Sequence, residues 1–129
     1  MNMDISDGKK TIIVVEDEQD AAEMFAEMMR VNGFHVLKAT GSKLAMRMID
    51  DCIPAAVILD IMMPDISGLE VLRHIQQKPV LAGIPVIVVS AKSLPVDIKT
   101  GLEAGAAIYL TKPVNYLDLK RAVDKVLGA

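Results

Sequence analysis

Five short apolar runs recur along the chain, mostly without polar residues alternating inside them. Short continuous apolar runs are typical of strands that are buried on both faces of a sheet. Three of the five runs are rich in Ile and Val, which favour extended structure. The pattern predicts strands at Thr11–Val15, His35–Ala39, Ala55–Leu59, Pro85–Val89 and Ala107–Leu110.

Segments with helical spacing of apolar residues lie between and after these runs. The predicted helices run from Asp20 to Asn32, from a cap at Ser42, from the residue after Gly68, from Val96 to Ala104, and from a cap at Asn115 to Gly128. The order is therefore a strand followed by a helix, five times over. Such alternation predicts an α/β fold, in which right-handed crossovers place helices on both faces of a parallel sheet.

Composition narrows the class of protein. The chain has 129 residues, which fits one compact domain, and 52% of them are apolar while only 3% are aromatic. A formal charge of -3 provides no basic field for nucleic acid or an anionic membrane, so we expect neither as a direct partner. With one cysteine, no secretory signal order and no membrane-spanning run, the sequence predicts a soluble, cytoplasmic protein.

Candidate chemistry lies where the predicted strands end, because parallel α/β sheets bind ligands at the carboxyl ends of their strands. The residues there are Glu16-Asp17-Glu18, Asp60, Ser90-Ala91 and Thr111-Lys112-Pro113. Carboxylates held together at the centre of a sheet repel one another unless they are protonated or bridged by a cation. Mg²⁺ suits this set of ligands, since it prefers oxygen and commonly takes one or two protein carboxylates together with phosphate oxygens.

These residue types also fit phosphoryl transfer to a carboxylate. Asp60 could attack phosphorus to form an acyl phosphate, while the metal and Lys112 neutralise the charge that develops. Ser90 could donate a hydrogen bond to a phosphoryl oxygen.

Four motifs together make the sequence resemble the receiver domains of bacterial two-component response regulators. The motifs are Val14-Val15-Glu16-Asp17-Glu18, Leu59-Asp60-Ile61-Met62-Met63-Pro64-Asp65 with Gly68, Val88-Val89-Ser90-Ala91, and Gly105 through Tyr109 to Lys112-Pro113. Their order and spacing cover about residues 11–127. The resemblance implies a flavodoxin-like, doubly wound (βα)5 fold with a five-stranded parallel sheet in the order 2-1-3-4-5. We expect this domain to occupy residues 11–129 and to follow a flexible segment at residues 1–10.

The resemblance also implies a role for each site residue. Asp60 would be the phosphoacceptor, and the Mg²⁺ ligands would be Glu16, usually through water, Asp17, Asp60 and the backbone carbonyl of Met62. Lys112 would pair with Asp60 and then with the phosphoryl group, and Lys112-Pro113 would be a cis peptide. Ser90 and Tyr109 would form the switch that carries the signal to the face made by the fourth helix, fifth strand and fifth helix.

The implied partners are a sensor histidine kinase or phosphotransfer protein and a downstream protein target on that face. Some positions depart from the common family pattern. Glu16 stands where aspartate is more usual, and Met62 offers no group to orient an attacking water, which predicts slow loss of phosphate. Ala106-Ala107 replaces acidic residues that many DNA-binding relatives use in a dimer interface, so we expect a monomer or weak dimer.

Other functions also use related sites. An aspartate-based phosphohydrolase has a similar set of site residues. Such an enzyme typically carries an acid two residues after its nucleophile to protonate the leaving group, whereas this chain has Met62 at that position. A flavin- or nucleotide-binding module would need a loop of amides and hydroxyls rather than Glu16-Asp17-Glu18. A receiver-like interaction module that works without phosphorylation is the remaining alternative.

Overall fold

Five strands alternate with five helices over residues 8–128, the part of the chain that this computed structural model describes. The strands are Thr11–Val15 (β1), His35–Ala39 (β2), Ala56–Leu59 (β3), Val86–Ser90 (β4) and Ile108–Thr111 (β5). The helices are Gln19–Arg30 (α1), Ser42–Cys52 (α2), Gly68–Gln77 (α3), Pro95–Glu103 (α4) and Tyr116–Leu127 (α5). Every predicted element is present, and wherever the sequence predicted an end, the observed end lies within two residues of it.

The five strands form one parallel sheet in the order β2-β1-β3-β4-β5, which confirms the predicted topology. The three central strands are fully buried, as their unbroken apolar sequences require, whereas β2 and β5 at the edges are partly exposed. In the register of the sheet, Val15 of β1 pairs with both Ala39 and Leu59. The residues that follow β1 and β3 therefore leave the sheet side by side.

Two hydrophobic clusters lie on opposite faces of the sheet, because successive strand residues point to opposite sides. Ile13 and Val15 pack on the face covered by α2 and α3, and Ile12 and Val14 pack on the face covered by α1 and α5. Complete burial of such a side chain stabilises the fold by roughly 1.5–3 kcal/mol. Helices on both faces therefore support the end of the sheet at which the strands finish.

The prediction that Ser42 caps α2 is wrong. The helix begins at Ser42 itself after an extended Gly41, and the Ser42 hydroxyl donates to the Ile66 carbonyl at 2.6 Å. The free amides of Ser42 and Lys43 instead donate to the Asp65 carboxylate, which comes from the loop after β3. A cap supplied from a distant loop leaves no local sequence signal. The predicted cap at Asn115 is confirmed, since its side chain accepts a hydrogen bond from the Asp118 amide at 2.8 Å.

Two sequence predictions extend past the described residues. Positions 1–7 of the flexible segment predicted at residues 1–10 lie outside the described residues. Ala129, the last residue of the predicted domain, lies outside them as well. Both boundaries stay predictions. Among the helices of residues 8–128, none has the length and apolar character needed to span a bilayer.

Candidate functional site

The acidic residues meet at the carboxyl edge of the sheet because of how β1, β2 and β3 pair. The Glu16 amide donates to the Ala39 carbonyl at 3.0 Å, and the Asp60 amide donates to the Val15 carbonyl at 2.9 Å. Each bond continues the ladder of a strand by one residue. The parallel register therefore fixes Glu16 and Asp60 next to each other, although they are far apart in sequence.

Glu16, Asp17 and Asp60 form a cluster of three carboxylates. One oxygen from each lies within 4.8 Å of the other two. Glu16 is 2% exposed and Asp60 is 5% exposed, whereas Asp17 lies at the surface. Two acids are therefore held away from water, and the third opens the cluster to solvent.

Lys112 is the cation that the fold supplies to this cluster. Its Nζ lies 2.7 Å from Glu16 Oε1 and 2.9 Å from Asp60 Oδ2. The Lys112 amide donates to the Ser90 carbonyl at 2.8 Å, which ties the lysine to the end of β4. The Lys112–Pro113 peptide is cis, as the resemblance implied. The loop after β5 thus directs the lysine across the sheet toward β3 and β1.

The remaining oxygens of the two buried acids accept backbone hydrogen bonds. The Met62 amide donates to Asp60 Oδ1 at 2.9 Å, and the Glu18 amide donates to Glu16 Oε2 at 3.2 Å. Each buried carboxylate is therefore bonded on one oxygen by Lys112 and on the other by an amide. This arrangement fixes the orientation of both groups.

The charges in the cluster do not cancel. Burial raises the pKa of the Glu16 carboxyl above its ordinary value, more strongly than the hydrogen bond from Lys112 lowers it. Burial disfavours the charged form of Lys112, but its hydrogen bonds to Glu16 and Asp60 outweigh this effect, so the pKa of Lys112 lies above its ordinary value. Three ionised carboxylates and one ammonium leave a formal surplus of two negative charges, which matches one divalent cation.

The donor set therefore fits Mg²⁺. The available groups are carboxylate oxygens, which are hard ligands, and the exposed Asp17 leaves the cluster open to the waters that Mg²⁺ usually retains. The described residues of the cluster include no sulfur or imidazole group that would favour a softer metal.

The loop between β3 and α3 needs a glycine at its end. A Cβ on Gly68 would lie 2.5 Å from the Asp60 carbonyl oxygen and 2.7 Å from Ile61 Cα. The Gly68 amide also donates to the Ile61 carbonyl at 2.8 Å. Because the obstructing atoms are backbone, a side chain at this position would displace the segment that carries Asp60.

Ser90 and Tyr109 lie on the adjoining strands β4 and β5. The Ser90 hydroxyl is buried and accepts a hydrogen bond from the Lys92 amide at 3.2 Å. The Tyr109 hydroxyl donates to the Lys92 carbonyl at 2.7 Å, so both residues contact the loop that follows β4. The Tyr109 ring is partly buried in this arrangement.

Sequence reasoning missed two residues that shape the site. Gly101 in α4 lies against the Tyr109 ring, and a Cβ there would lie 2.8 Å from ring atoms Cδ2 and Cε2. A glycine inside a helix is costly and could have signalled a close approach of this kind. Asp65 belongs to the motif after β3, but its contact with α2 had no signal in the sequence.

The fold and the site together define a class of protein: a doubly wound α/β domain with three acids and a lysine at the carboxyl edge of its sheet. The family described as "Response regulator receiver domain" matches residues 12–124, and the chain belongs to this family. Members of the family are signalling domains that act with histidine kinases and downstream targets in two-component systems.

Curated relatives support the same assignment. The chain is 38% identical over 112 residues to the uncharacterized transcriptional regulatory protein YrkP of Bacillus subtilis, covering 87% of this chain and 47% of YrkP. It is 35% identical over 118 residues to the phosphate regulon transcriptional regulatory protein PhoB of Pseudomonas aeruginosa, covering 92% of this chain and 52% of PhoB. The chain thus spans about half the length of these relatives.

Solved structures show the same fold. A response regulator from Chloroflexus aurantiacus superposes with a TM-score of 0.89 at 29% identity, covering 94% of this chain and 99% of that one. The BeF3-activated DrrB receiver domain superposes with a TM-score of 0.84 at 28% identity, with the same coverage of both chains. The similarity extends over almost the whole domain.

Proposed function

We propose that this domain is a Mg²⁺-dependent phosphoacceptor, in which Asp60 receives a phosphoryl group from a histidine kinase or phosphotransfer protein. The observation that carries the proposal is the position of Asp60: it is 5% exposed, its Oδ2 contacts Lys112, and it shares a three-carboxylate cluster with Glu16 and Asp17. A buried aspartate with its own cation and two neighbouring acids is costly to maintain for stability alone.

Glu16, Asp17, Asp60 and the Met62 carbonyl would hold the metal. When bound, Mg²⁺ supplies positive charge that offsets the repulsion between an anionic nucleophile and an anionic phosphoryl group. The amide of Met62 donates to Asp60 Oδ1 and Lys112 donates to Oδ2, so the carboxylate is oriented before any donor arrives. Such preorganisation lowers the cost of reaching the transition state.

Lys112 and Ser90 would stabilise the product. The ammonium of Lys112 can move from the carboxylate to a phosphoryl oxygen without leaving the cluster, because its amide stays anchored to β4. The hydroxyl of Ser90 can donate to a second phosphoryl oxygen. The bond that the Ser90 hydroxyl accepts from the Lys92 amide does not itself use the hydroxyl proton.

The output would pass through the α4-β5-α5 face. Ser90 and Tyr109 both contact the loop around Lys92, so a movement of Ser90 toward a phosphoryl group would alter the acceptor that holds the Tyr109 hydroxyl. We propose that Tyr109 then changes its exposure and that a downstream protein reads this change. We place the domain in the cytoplasm, as a monomer or weak dimer.

Intact-mass measurement tests the phosphoacceptor proposal. The protein is incubated with a small acyl phosphate, with and without Mg²⁺, beside the Asp60→Asn variant. We expect a gain of one phosphoryl group in the parent with Mg²⁺, stable in acid and labile in base, and no gain in the variant. Equal gains in both proteins would contradict the proposal, and steady turnover of added phosphate esters would favour a phosphohydrolase instead.

A further inference from the structure

The loop that carries the candidate acceptor is fastened to α2 by the side chain of Asp65. Asp65 Oδ1 accepts a hydrogen bond from the Ser42 amide at 3.0 Å, and Asp65 Oδ2 accepts one from the Lys43 amide at 3.1 Å. These two amides open α2 and have no partner within their own helix. A carboxylate here also interacts favourably with the helix dipole.

A second bond joins the same two segments in the opposite direction. The buried Ser42 hydroxyl donates to the Ile66 carbonyl at 2.6 Å. Adjacent residues of the loop thus bond to adjacent residues of α2, through one carboxylate and one carbonyl. Gly41 allows this approach, because a Cβ there would lie 3.2 Å from Asp65 Oδ2.

The hydrogen bonds at the other end of the loop are local. The Met62 amide donates to Asp60, and the Met63 amide donates to the Ile61 carbonyl at 3.0 Å. The buried Ile61 side chain and the partly buried Met63 side chain also pack against the hydrophobic core. The Asp65 and Ile66 contacts add hydrogen bonds between the loop and α2, three and four residues beyond Met62.

We propose that Asp65 is a positioning residue for the phosphoacceptor loop. Through its hydrogen bonds to the first turn of α2, it holds the Met62 backbone carbonyl where a metal ligand is needed. This inference rests on the proposed function, because it assumes that Met62 faces Mg²⁺. Groups that orient a metal ligand affect metal affinity although they never touch the ion. The device also couples the position of α2 to the geometry of the site.

The test uses a graded series of substitutions in the whole chain. Asp65→Asn keeps one acceptor oxygen, and Asp65→Ala keeps none. Gly41→Ala keeps the Asp65 carboxylate but places a methyl group against it. Arg47→Gly is the matched control, because it weakens the exposed middle of the same helix without touching the loop. The readouts are Mg²⁺ affinity by calorimetry and amide hydrogen exchange of Met62 and Met63 in the metal-free protein.

We expect Asp65→Ala to weaken Mg²⁺ binding by about tenfold, with Asp65→Asn and Gly41→Ala between it and the parent. Exchange at Met62 and Met63 should accelerate in the same order, whereas Arg47→Gly should lower thermal stability and leave both readouts at the parent's values.

Parent-like Mg²⁺ affinity in Asp65→Ala, or an equal loss in Arg47→Gly, would overturn the positioning role. A parent that binds no Mg²⁺ would count against the proposed function instead. In that case exchange alone decides the anchoring: unchanged exchange in Asp65→Ala would overturn it.

Discussion

Lys112 Nζ lies 2.7 Å from Glu16 Oε1, and this contact joins residues that are 96 positions apart. The glutamate is 2% exposed and the lysine side chain is 27% exposed, so the pair is largely withdrawn from water. Glu16 carries one more methylene than an aspartate would, and its carboxylate shares the Lys112 ammonium with Asp60. The ammonium is therefore held between two acids before any phosphoryl group is present.

Removal of Lys112 should destabilise the domain and increase its response to Mg²⁺. In Lys112→Ala, Glu16 and Asp60 face each other without a cation, which we expect to cost about 2 kcal/mol of unfolding free energy, less than for a fully buried pair because the lysine is partly exposed. Millimolar Mg²⁺ should recover more stability in the variant than in the parent, because binding to the folded state stabilises it. Urea unfolding with and without Mg²⁺ measures both effects.

Lys120→Ala provides the control for that comparison. Lys120 pairs with Asp124 one turn away on α5, at the surface, so its loss should change stability little and leave the Mg²⁺ response unaltered. If Lys112→Ala unfolded at the same urea concentration as Lys120→Ala, the charge balance inferred for the site would be wrong.

Glu16 should make both stability and Mg²⁺ affinity depend on pH. Its pKa is raised above 4.5, so the folded state binds a proton more tightly than the unfolded state, and its contribution to stability falls as the pH rises from 4.5 through the raised pKa. Mg²⁺ needs the ionised carboxylate, so the parent's affinity should weaken as the pH falls through the same window.

The Glu16→Gln variant isolates this effect. It has no titrating group at residue 16, so its Mg²⁺ affinity should be weaker than the parent's at neutral pH and should vary less as the pH falls from neutral towards 4.5. Calorimetric titrations at several pH values provide the measurement. Parallel pH profiles for the two proteins would show that Glu16 does not titrate with the site.

The sheet could be predicted from the sequence because its physical cause is local in the chain. Unbroken apolar runs such as Ala56–Leu59 can only be satisfied by burial on both faces, and helical spacing between the runs determines the crossovers. Asp60 and Lys112 could be placed at the same end of the sheet for the same reason, since both directly follow strands, whereas their pairing was implied by the resemblance to receiver domains.

Contacts between loops were beyond the reach of sequence patterns. The cap that Asp65 supplies to α2 depends on how far the loop after β3 extends, and Ser42 offered a plausible local cap that competed with it. The approach of Tyr109 to Gly101 depends on how α4 packs against β5, and the apolar pattern of α4 is weak, with Gly101 its only buried residue. Distances of this kind follow from packing rather than periodicity.

A methyl group at residue 101 should release Tyr109. In Gly101→Ala the new Cβ would lie 2.8 Å from ring atoms of Tyr109, so the ring must move away and lose the bond from its hydroxyl to the Lys92 carbonyl. Burial raises the pKa of the Tyr109 phenol above 10.0, so the displaced phenol should titrate at a lower pH, closer to that ordinary value.

Ultraviolet titration follows that phenol if Tyr116→Phe is the shared background, because the chain has two tyrosines. Stability is a poorer readout, since alanine also favours the helix over glycine by about 1 kcal/mol. An unchanged phenol titration in Gly101→Ala would mean that α4 moves and the Tyr109 ring does not, which would contradict the predicted release of Tyr109.

Met62 should slow the loss of phosphate from Asp60. Its side chain is 51% exposed beside the acceptor and has no polar group to orient a water for attack. Met62→Asn should hasten dephosphorylation by roughly tenfold, because an oriented water needs less reorganisation. Decay of the phosphorylated species by intact mass gives the rate, with Val80→Asn, a distant exposed apolar position, as control. Equal dephosphorylation rates in the parent and in Met62→Asn would contradict the proposal that Met62 slows the loss of phosphate.

Chemical trapping identifies the residue that carries the phosphoryl group. Borohydride reduces an acyl phosphate of aspartate to homoserine, so protein treated with a small acyl phosphate and Mg²⁺, then with borohydride, can be digested and sequenced by mass spectrometry. We expect homoserine at residue 60 alone, with Asp17 and Asp65 unchanged and no conversion without Mg²⁺. Homoserine at another aspartate, or unconverted Asp60 in a protein that had gained phosphate, would contradict this expectation.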